Sequence, residues 1–212
     1  RVGLEVGMRL TSWAFAVEFL RGAPGTSGEL MGMLRRSVAA HLAYLERYPS
    51  LHSSANNHRI GELAGAAVGA LAFPELTGAE AVAGRALLGL ESELGRQVLP
   101  DGVGAEQAVA YAGFVLDLCV PVVACLRRSG RPVPDGLARP LAGLADFLGT
   151  LASDGLTLPR IGDDDDAVGI DLAAGMDRSE RLASRLRTAE RLVGARARRP
   201  GGLDEQTAWL GG

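Results

Sequence analysis

Apolar positions recur every three to four residues along most of the chain, and short clusters of turn-forming residues interrupt them. That rhythm predicts helix, turn, helix, repeated. Leu4–Arg21 carries Met8, Trp13, Phe15, Phe19 and Leu20 in a helical pattern, and Gly22-Ala23-Pro24-Gly25 breaks it. Ser27 is placed to cap a second helix that runs to about Arg47, where Pro49 stops it. Asn56 or Asn57 can cap a third helix ending before Pro74, and Thr77 a fourth reaching about Leu99. After the turn Pro100-Asp101-Gly102 a fifth helix spans about Ala105–Arg128. Beyond the loop Gly130–Pro134 a sixth covers about Asp135–Ala152. A polar, arginine-rich helix follows at about Arg178–Arg198; Pro200-Gly201-Gly202 breaks it, and a short last helix holds Trp209 and Leu210.

Alternation of the kind a strand needs never persists. Only Thr157–Ile161 and Val168–Leu172 read as short extended pieces, on either side of Gly162-Asp163-Asp164-Asp165-Asp166. The fold class is therefore all-α, built of antiparallel α/α hairpins with short connections. No strict repeat is present, which argues against a regular solenoid. The third helix carries Gly61, Gly65 and Gly69 at four-residue spacing. Each glycine costs a helix about 1 kcal/mol relative to alanine, and a close helix–helix approach is the simplest compensation.

Composition narrows this picture. The chain has 212 residues, 47% of them hydrophobic, enough for one domain with its own core. Aromatics are only 5%, so Leu, Ala and Val must fill that core. The net charge of −3 gives no reason to expect nucleic acid. All 22 basic residues are arginine, whose planar fork suits acidic ligands. Cys119 and Cys125 lie six residues apart on one predicted helix, on different faces, and read as buried thiols rather than a disulfide. Leu63–Phe73 is apolar but too short to span a bilayer. The chain starts at Arg1 without a methionine or signal-like segment, as expected of a processed or excised piece.

Two polar stretches stand out against the apolar background. Asn56, Asn57, His58 and Glu62 lie where the third helix begins, and Glu106, Gln107 and Tyr111 lie where the fifth begins. A single N-cap followed by a surface histidine accounts for part of the first stretch, but one cap needs only one asparagine. His58 and Glu62 are i and i+4 on a helix and share a face, so Glu62 is placed to orient or charge His58. Gln107 is likewise four residues before Tyr111, and Glu106 just inside the helix start complements the dipole; a core tyrosine with its hydroxyl at a rim is the plainer reading. The Asp163–Asp166 run suits a hard cation, but it lacks calcium-loop spacing and lies in a loop, which favours loop bracing or capping. The arginines of Arg178–Arg199 read as a solvated helix face, and His41 and His52 as structural. No nucleophile elbow, zinc spacing or dinucleotide fingerprint is present.

Five segments together resemble one family. Gly3-Leu4-Glu5-Val6-Gly7-Met8-Arg9-Leu10 with Ser12-Trp13 resembles an early helix of the heparinase II/III-like polysaccharide lyases. Ser54-Ala55-Asn56-Asn57-His58-Arg59-Ile60-Gly61-Glu62 is similar to its Asn-Asn-His segment, and Asp101-Gly102, Glu106-Gln107 and Tyr111 to its Asp-Gly…Glu-Gln…Tyr segment. Pro159–Asp166 resembles its Pro-x-Ile-Gly-Asp-x-Asp loop, and Trp209-Leu210-Gly211 a run near the end of its helical domain. The order is preserved over nearly the whole chain. One departure is Ala112, where the family often has histidine after the tyrosine.

The resemblance implies part of an incomplete (α/α) toroid, the later portion of a helical domain, followed in the complete enzyme by a β-sandwich absent from these residues. It implies β-elimination on an acidic polysaccharide or oligosaccharide containing uronic acid. Asn57 and His58 would neutralise the sugar carboxylate, and Tyr111 would serve as acid and, in some members, also as base. Asn56, Glu62, Glu106 and Gln107 would contact or support the substrate. No redox cofactor, required metal, nucleic acid or membrane partner is implied, and a periplasmic or secreted location is suggested. Other readings of the same residues are a glycoside hydrolase using Glu62 and Glu106 and a non-catalytic carbohydrate-binding module.

Overall fold

Local sequence signals account for most of the helix boundaries. The computed structural model describes residues 2–52, 55–153, 155–164, 166–172, 175–196 and 204–211. Among them lie helices α1 (Gly3–Leu20), α2 (Gly28–Arg47), α3 (Asn57–Ala72), α4 (Ala79–Gln97), α5 (Val109–Arg128), α6 (Asp135–Leu151), α7 (Arg178–Val193) and α8 (Glu205–Gly211). No strand occurs among the described residues; Thr157–Ile161 and Val168–Leu172 belong to irregular loop, and one isolated bridge joins Val98 to Gly104. The all-α class read from periodicity is what the structure has.

Ser27 caps α2 by accepting from the Leu30 amide at 3.1 Å. Of the two candidate caps of α3 it is Asn56 that serves, accepting from the His58 amide at 3.1 Å. A capping box between Asp177 and Glu180 opens α7, and Gly194 in the left-handed conformation closes it. That glycine ends α7 at Val193, before the expected Arg198; the breaker Pro200-Gly201-Gly202 lies outside the described residues. At α4 the helix starts at Ala79, after Gly78 at φ 79°, rather than directly after Thr77. The fifth helix departs most. It begins at Val109, four residues later than expected, because Gly104–Gln107 form a turn closed by Gln107 N–H donating to Gly104 C=O at 2.9 Å.

The chain divides into two compact units, Arg1–Leu90 and Glu91–Gly212. In the first, α1 packs along α3, with α2 against both. Glycine makes that approach possible. A Cβ on Gly7 would stand 2.2 Å from Gly61 O, and one on Gly65 would stand 2.3 Å from the Gly7 backbone. The predicted use of Gly61 and Gly65 is thus the observed one, with Gly7 of α1 as their counterpart. Gly69 faces Leu10 and Leu42 instead. Most residues of α3 are buried, whereas α2 shows an amphipathic face with Val38, Leu42 and Leu45 turned inward.

In the second unit α5 packs on α6, α7 and α8. It is long and apolar enough to cross a membrane by composition, yet most of its residues are buried inside the protein. The core of this unit also takes in the buried Leu137, Leu141, Leu144 and Leu148 of α6 and Leu182, Leu186 and Leu192 of α7, spaced at helical intervals. Of the two cysteines read as buried thiols, Cys119 is buried, and burial pushes its ionisation well above the usual range, whereas Cys125 is half-buried.

Candidate functional site

In the first unit the start of α3 gathers Asn56, Asn57, His58 and Glu62. Asn56 takes the cap, so Asn57 becomes the first residue of the helix and is only 5% exposed. His58 follows, half-buried. Glu62 is 1% exposed, and its oxygens go elsewhere than to His58. They accept from the Ser50 amide at 2.9 and 3.2 Å, from Ser50 Oγ at 2.5 Å and from Arg59 Nη1 at 3.0 Å. Gly3 makes room for this carboxylate, since a Cβ there would stand 1.9 Å from Glu62 Oε1. The buried charge is therefore compensated by one ion pair and a serine. It fastens the turn before the Asn-Asn-His segment to α3. The expected orientation of His58 by Glu62 is replaced by this anchor. Ser50 and Gly3 were not legible as its partners; the four-residue spacing of Gly3 and Gly7 on α1 is a signal that could have marked this face as one of close approach.

In the second unit Tyr111 is the third residue of α5 and half-buried. Glu106 and Gln107 lie outside the helix, in the turn before it. Gln107 stands at φ 54°, so it does not share a helical face with Tyr111, and Glu106 is not inside the first turn. The helix has no side-chain cap at Ala108. Its first amide is met instead from far along the chain: Val109 N–H donates to Ile161 C=O at 3.0 Å.

The loop that supplies this carbonyl is held on its other side by α7. Asp164 accepts from Arg178 Nη1 at 3.0 Å, and Arg178 also pairs with Asp166. The arginine holds Asp164 below the usual carboxylate range. Asp164 and Asp166 thus brace the loop, as their place in the sequence suggested; Asp165 lies outside the described residues. Arg178, Arg181 and Arg185 of α7, with Val109 and Ala110 of α5 and the loop Leu156–Ile161, line an open cavity of about 450 Å³.

The arginines of α7 form the expected solvated face only in part: Arg178 and Arg191 are exposed, but Arg185 and Arg187 turn inward to carboxylates. Arg185 binds the buried Asp117 of α5 through two bonds, at 2.8 and 2.6 Å, and Gly169 N–H donates to the same carboxylate at 3.2 Å. Burial pushes the Asp117 carboxyl up, against the opposing pull of Arg185. Arg187 binds Asp204 at 2.7 and 2.9 Å. His41 is structural, as expected: Arg9 Nη1 lies 3.2 Å from its Nε2, the Ser37 carbonyl 2.8 Å from its Nδ1, and Trp13 packs edge-on against its ring. Asn56, Asn57, His58 and Glu62 are thus brought together in one unit, and Glu106, Gln107 and Tyr111 in the other.

Comparison with known proteins agrees with this architecture. The structure is similar to the crystal structure of heparinase III, with a TM-score of 0.64 and 18% identity over 73% of this chain and 25% of that one. It is similar to heparan sulfate lyase HepC from Pedobacter heparinus, with a TM-score of 0.60 and 18% identity over 74% of this chain and 24% of that one. It is also similar to the heparinase III BT4657 gene product, at 0.60 and 19% identity, with the same coverages. At such identities the likeness establishes the helical fold, and this chain spans about a quarter of the length of each. No curated protein matches the sequence. The family model described as heparinase II/III N-terminus matches residues 2–164, and by that match the chain belongs to the heparinase II/III family.

Proposed function

We propose that the protein to which this chain belongs is a polysaccharide lyase that cleaves a uronic-acid polymer by β-elimination. The observation that carries the reading is the division of labour at α3. Asn56 does the capping, and a second asparagine, Asn57, is held buried beside His58 at the N-terminal end of a 16-residue helix, where negative charge is favoured. That arrangement suits a sugar carboxylate.

The chemistry explains why such groups are needed. The C5 proton of a 4-linked uronate is not acidic while the adjacent carboxylate is fully charged. Donors from Asn57 and His58 would stabilise the enolate-like charge as that proton leaves, an effect worth about 3–4 kcal/mol per preorganised donor. The C5–H electron pair becomes the C4–C5 double bond, the C4–O4 bond breaks, and O4 takes up a proton. Tyr111 is the proposed proton donor to O4; a phenol of ordinary pKa about 10 suits that role. As the C5 base it would act in concert with the carboxylate donors. Glu106 and Gln107, in the turn before α5, are proposed to contact substrate. Asn56 and Glu62 are proposed to hold the start of α3 in place. The remainder of the cleft is proposed to come from a β-sandwich outside these residues. Hydrolysis by a Glu62–Glu106 pair is disfavoured, because the Glu62 side chain is sealed from solvent and bound to Arg59 and Ser50.

The test uses the full-length protein, wild type beside Tyr111→Phe, on a panel of uronic-acid polymers, following the ultraviolet absorbance of the unsaturated product. Absorbance with one polymer, reduced about 100-fold or more by Tyr111→Phe, is the expected result. New reducing ends without absorbance would replace elimination with hydrolysis. Binding without either signal would leave a carbohydrate-binding module.

A further inference from the structure

The acidic loop does more than brace itself, because it supplies the cap that α5 lacks. Helix starts leave amides unmet unless something accepts from them. At α5 the residue in the capping position is Ala108, which has no side-chain acceptor, and Ile161 C=O takes the Val109 amide at 3.0 Å. Gly162, the next residue, is in direct backbone contact with the same turn. It stands at φ 73°, and a Cβ there would lie 2.6 Å from Ala108 Cα and 2.7 Å from Gln107 O. The far end of the loop is tied to α7 by Arg178 through Asp164 and Asp166. Tyr111 follows Val109 by two residues on the same rigid helix, about 3 Å along its axis.

We infer that Gly162, with the Ile161 carbonyl and the Arg178 clasp, is a positioning residue for Tyr111: the loop sets where α5 begins and hence where the phenol is held. This rests on the lyase reading for its catalytic consequence, but the coupling of loop to tyrosine stands on geometry alone. It also gives a physical reason for an Ile-Gly-Asp loop to accompany a tyrosine some fifty residues earlier in the chain. The loop seats the helix, and only glycine lets it approach closely enough.

The experiment is a matched pair of glycine substitutions in the full-length protein. Gly162→Ala introduces a side chain at φ 73° and against Ala108; Gly194→Ala introduces one at the same φ with nothing within 4 Å. Both stand at the same positive φ, and only the first touches the start of α5. Each is made in protein labelled with 3-fluorotyrosine, the Tyr111 resonance being assigned by its loss in Tyr111→Phe. Gly162→Ala is expected to move that fluorine resonance and to lower kcat about 10- to 100-fold on the uronan that the protein cleaves, with KM within about twofold, as a small misplacement of a reacting group does. Gly194→Ala is expected to do neither. Arg178→Gln, at an exposed position, releases the clasp without a clash; it is expected to shift the same resonance and lower kcat a few-fold, and serves where Gly162→Ala does not fold. An unmoved Tyr111 resonance in Gly162→Ala or, failing that, in Arg178→Gln overturns the inference, as does an equal loss of kcat in Gly162→Ala and Gly194→Ala. If no uronan is cleaved at all, the lyase reading falls by itself, and the fluorine shift still decides whether Gly162 places Tyr111.

Discussion

The two units hold their proposed functional segments by different balances of the same two means, glycine contacts and ion pairs. Around α3 the decisive feature is missing side chains: Gly7 against Gly61 and Gly65, and Gly3 against the Glu62 carboxylate, let backbone and charge approach without obstruction. Around α5 it is long side chains: Arg185 reaches Asp117, Arg178 reaches Asp164 and Asp166, and Arg187 reaches Asp204. The first kind of contact gains dispersion and demands shape. The second demands compensation of charge, because an ion left buried alone is far more costly than the pair. A glycine contact such as Gly7 on Gly65 should therefore tolerate changes of nearby charge but not of volume, and a buried arginine–carboxylate clasp such as Arg185 on Asp117 the reverse.

The largest effect expected from that contrast is at Asp117. Asp117→Ala leaves the Arg185 guanidinium, only 12% exposed, without its bidentate partner. A loss of about 3–5 kcal/mol is expected in denaturant unfolding. The double variant Asp117→Leu with Arg185→Met should recover much of it, since both charges are then gone. A single variant that costs less than about 1 kcal/mol would show that the pair is solvated and the contrast misplaced. Next in size is Gly65→Ala. A helix interior ordinarily gains from this change, by about 1 kcal/mol. Here the new methyl meets the Gly7 backbone at 2.3 Å, so the sign should reverse, to a loss of about 1–3 kcal/mol. Gly95→Ala, with open space around it on α4, is the control that should be neutral or stabilising.

These two variants also mark what was legible in the sequence and what was not. Glycines at four-residue spacing on α3 are a local pattern, so their use in a close helix contact was readable, as were the Ser27 cap and the arrest of α2 near Pro49. Asp117 and Arg185 are 68 residues apart, and nothing local marks one as the other's partner; α7 accordingly looked like a solvated arginine face. The start of α5 was misplaced for the same reason. Ala105–Ala108 has reasonable helix propensity, but Gln107 in the left-handed region and a carbonyl from Ile161 fix the first turn at Val109. Propensity is a weak prior where a distant segment supplies the cap. Glu62 was legible as polar at a helix start, and illegible as the partner of Ser50 and Arg59, because the turn that carries Ser50 has no period of its own.

The smallest effect separates the clasped unit's charges from one another by their pH dependence. Asp204, at the head of α8, accepts from the Thr207 amide at 2.9 Å, from Ser184 Oγ at 2.8 Å and from Arg187. Its partial burial alone would raise its pKa, but these donors together hold it at about 2. The folded protein therefore keeps this carboxylate charged at pH values where the unfolded chain has already taken up the proton. Stability from Asp204 is complete above about pH 4 and is lost as pH falls through about 2. With allowance for solvent screening it amounts to about 1–2 kcal/mol. Asp117 contributes with the other sign. Its pKa is raised by burial, so its share is present at low pH and declines as pH rises through the folded value. Between about pH 4 and pH 2 the wild type should lose more stability than Asp204→Asn, whose amide does not titrate. Equal slopes for the two proteins across that window would mean that the Asp204 bonds do not survive in solution, and that α8 is docked by its apolar contacts, Leu210 among them, rather than by charge.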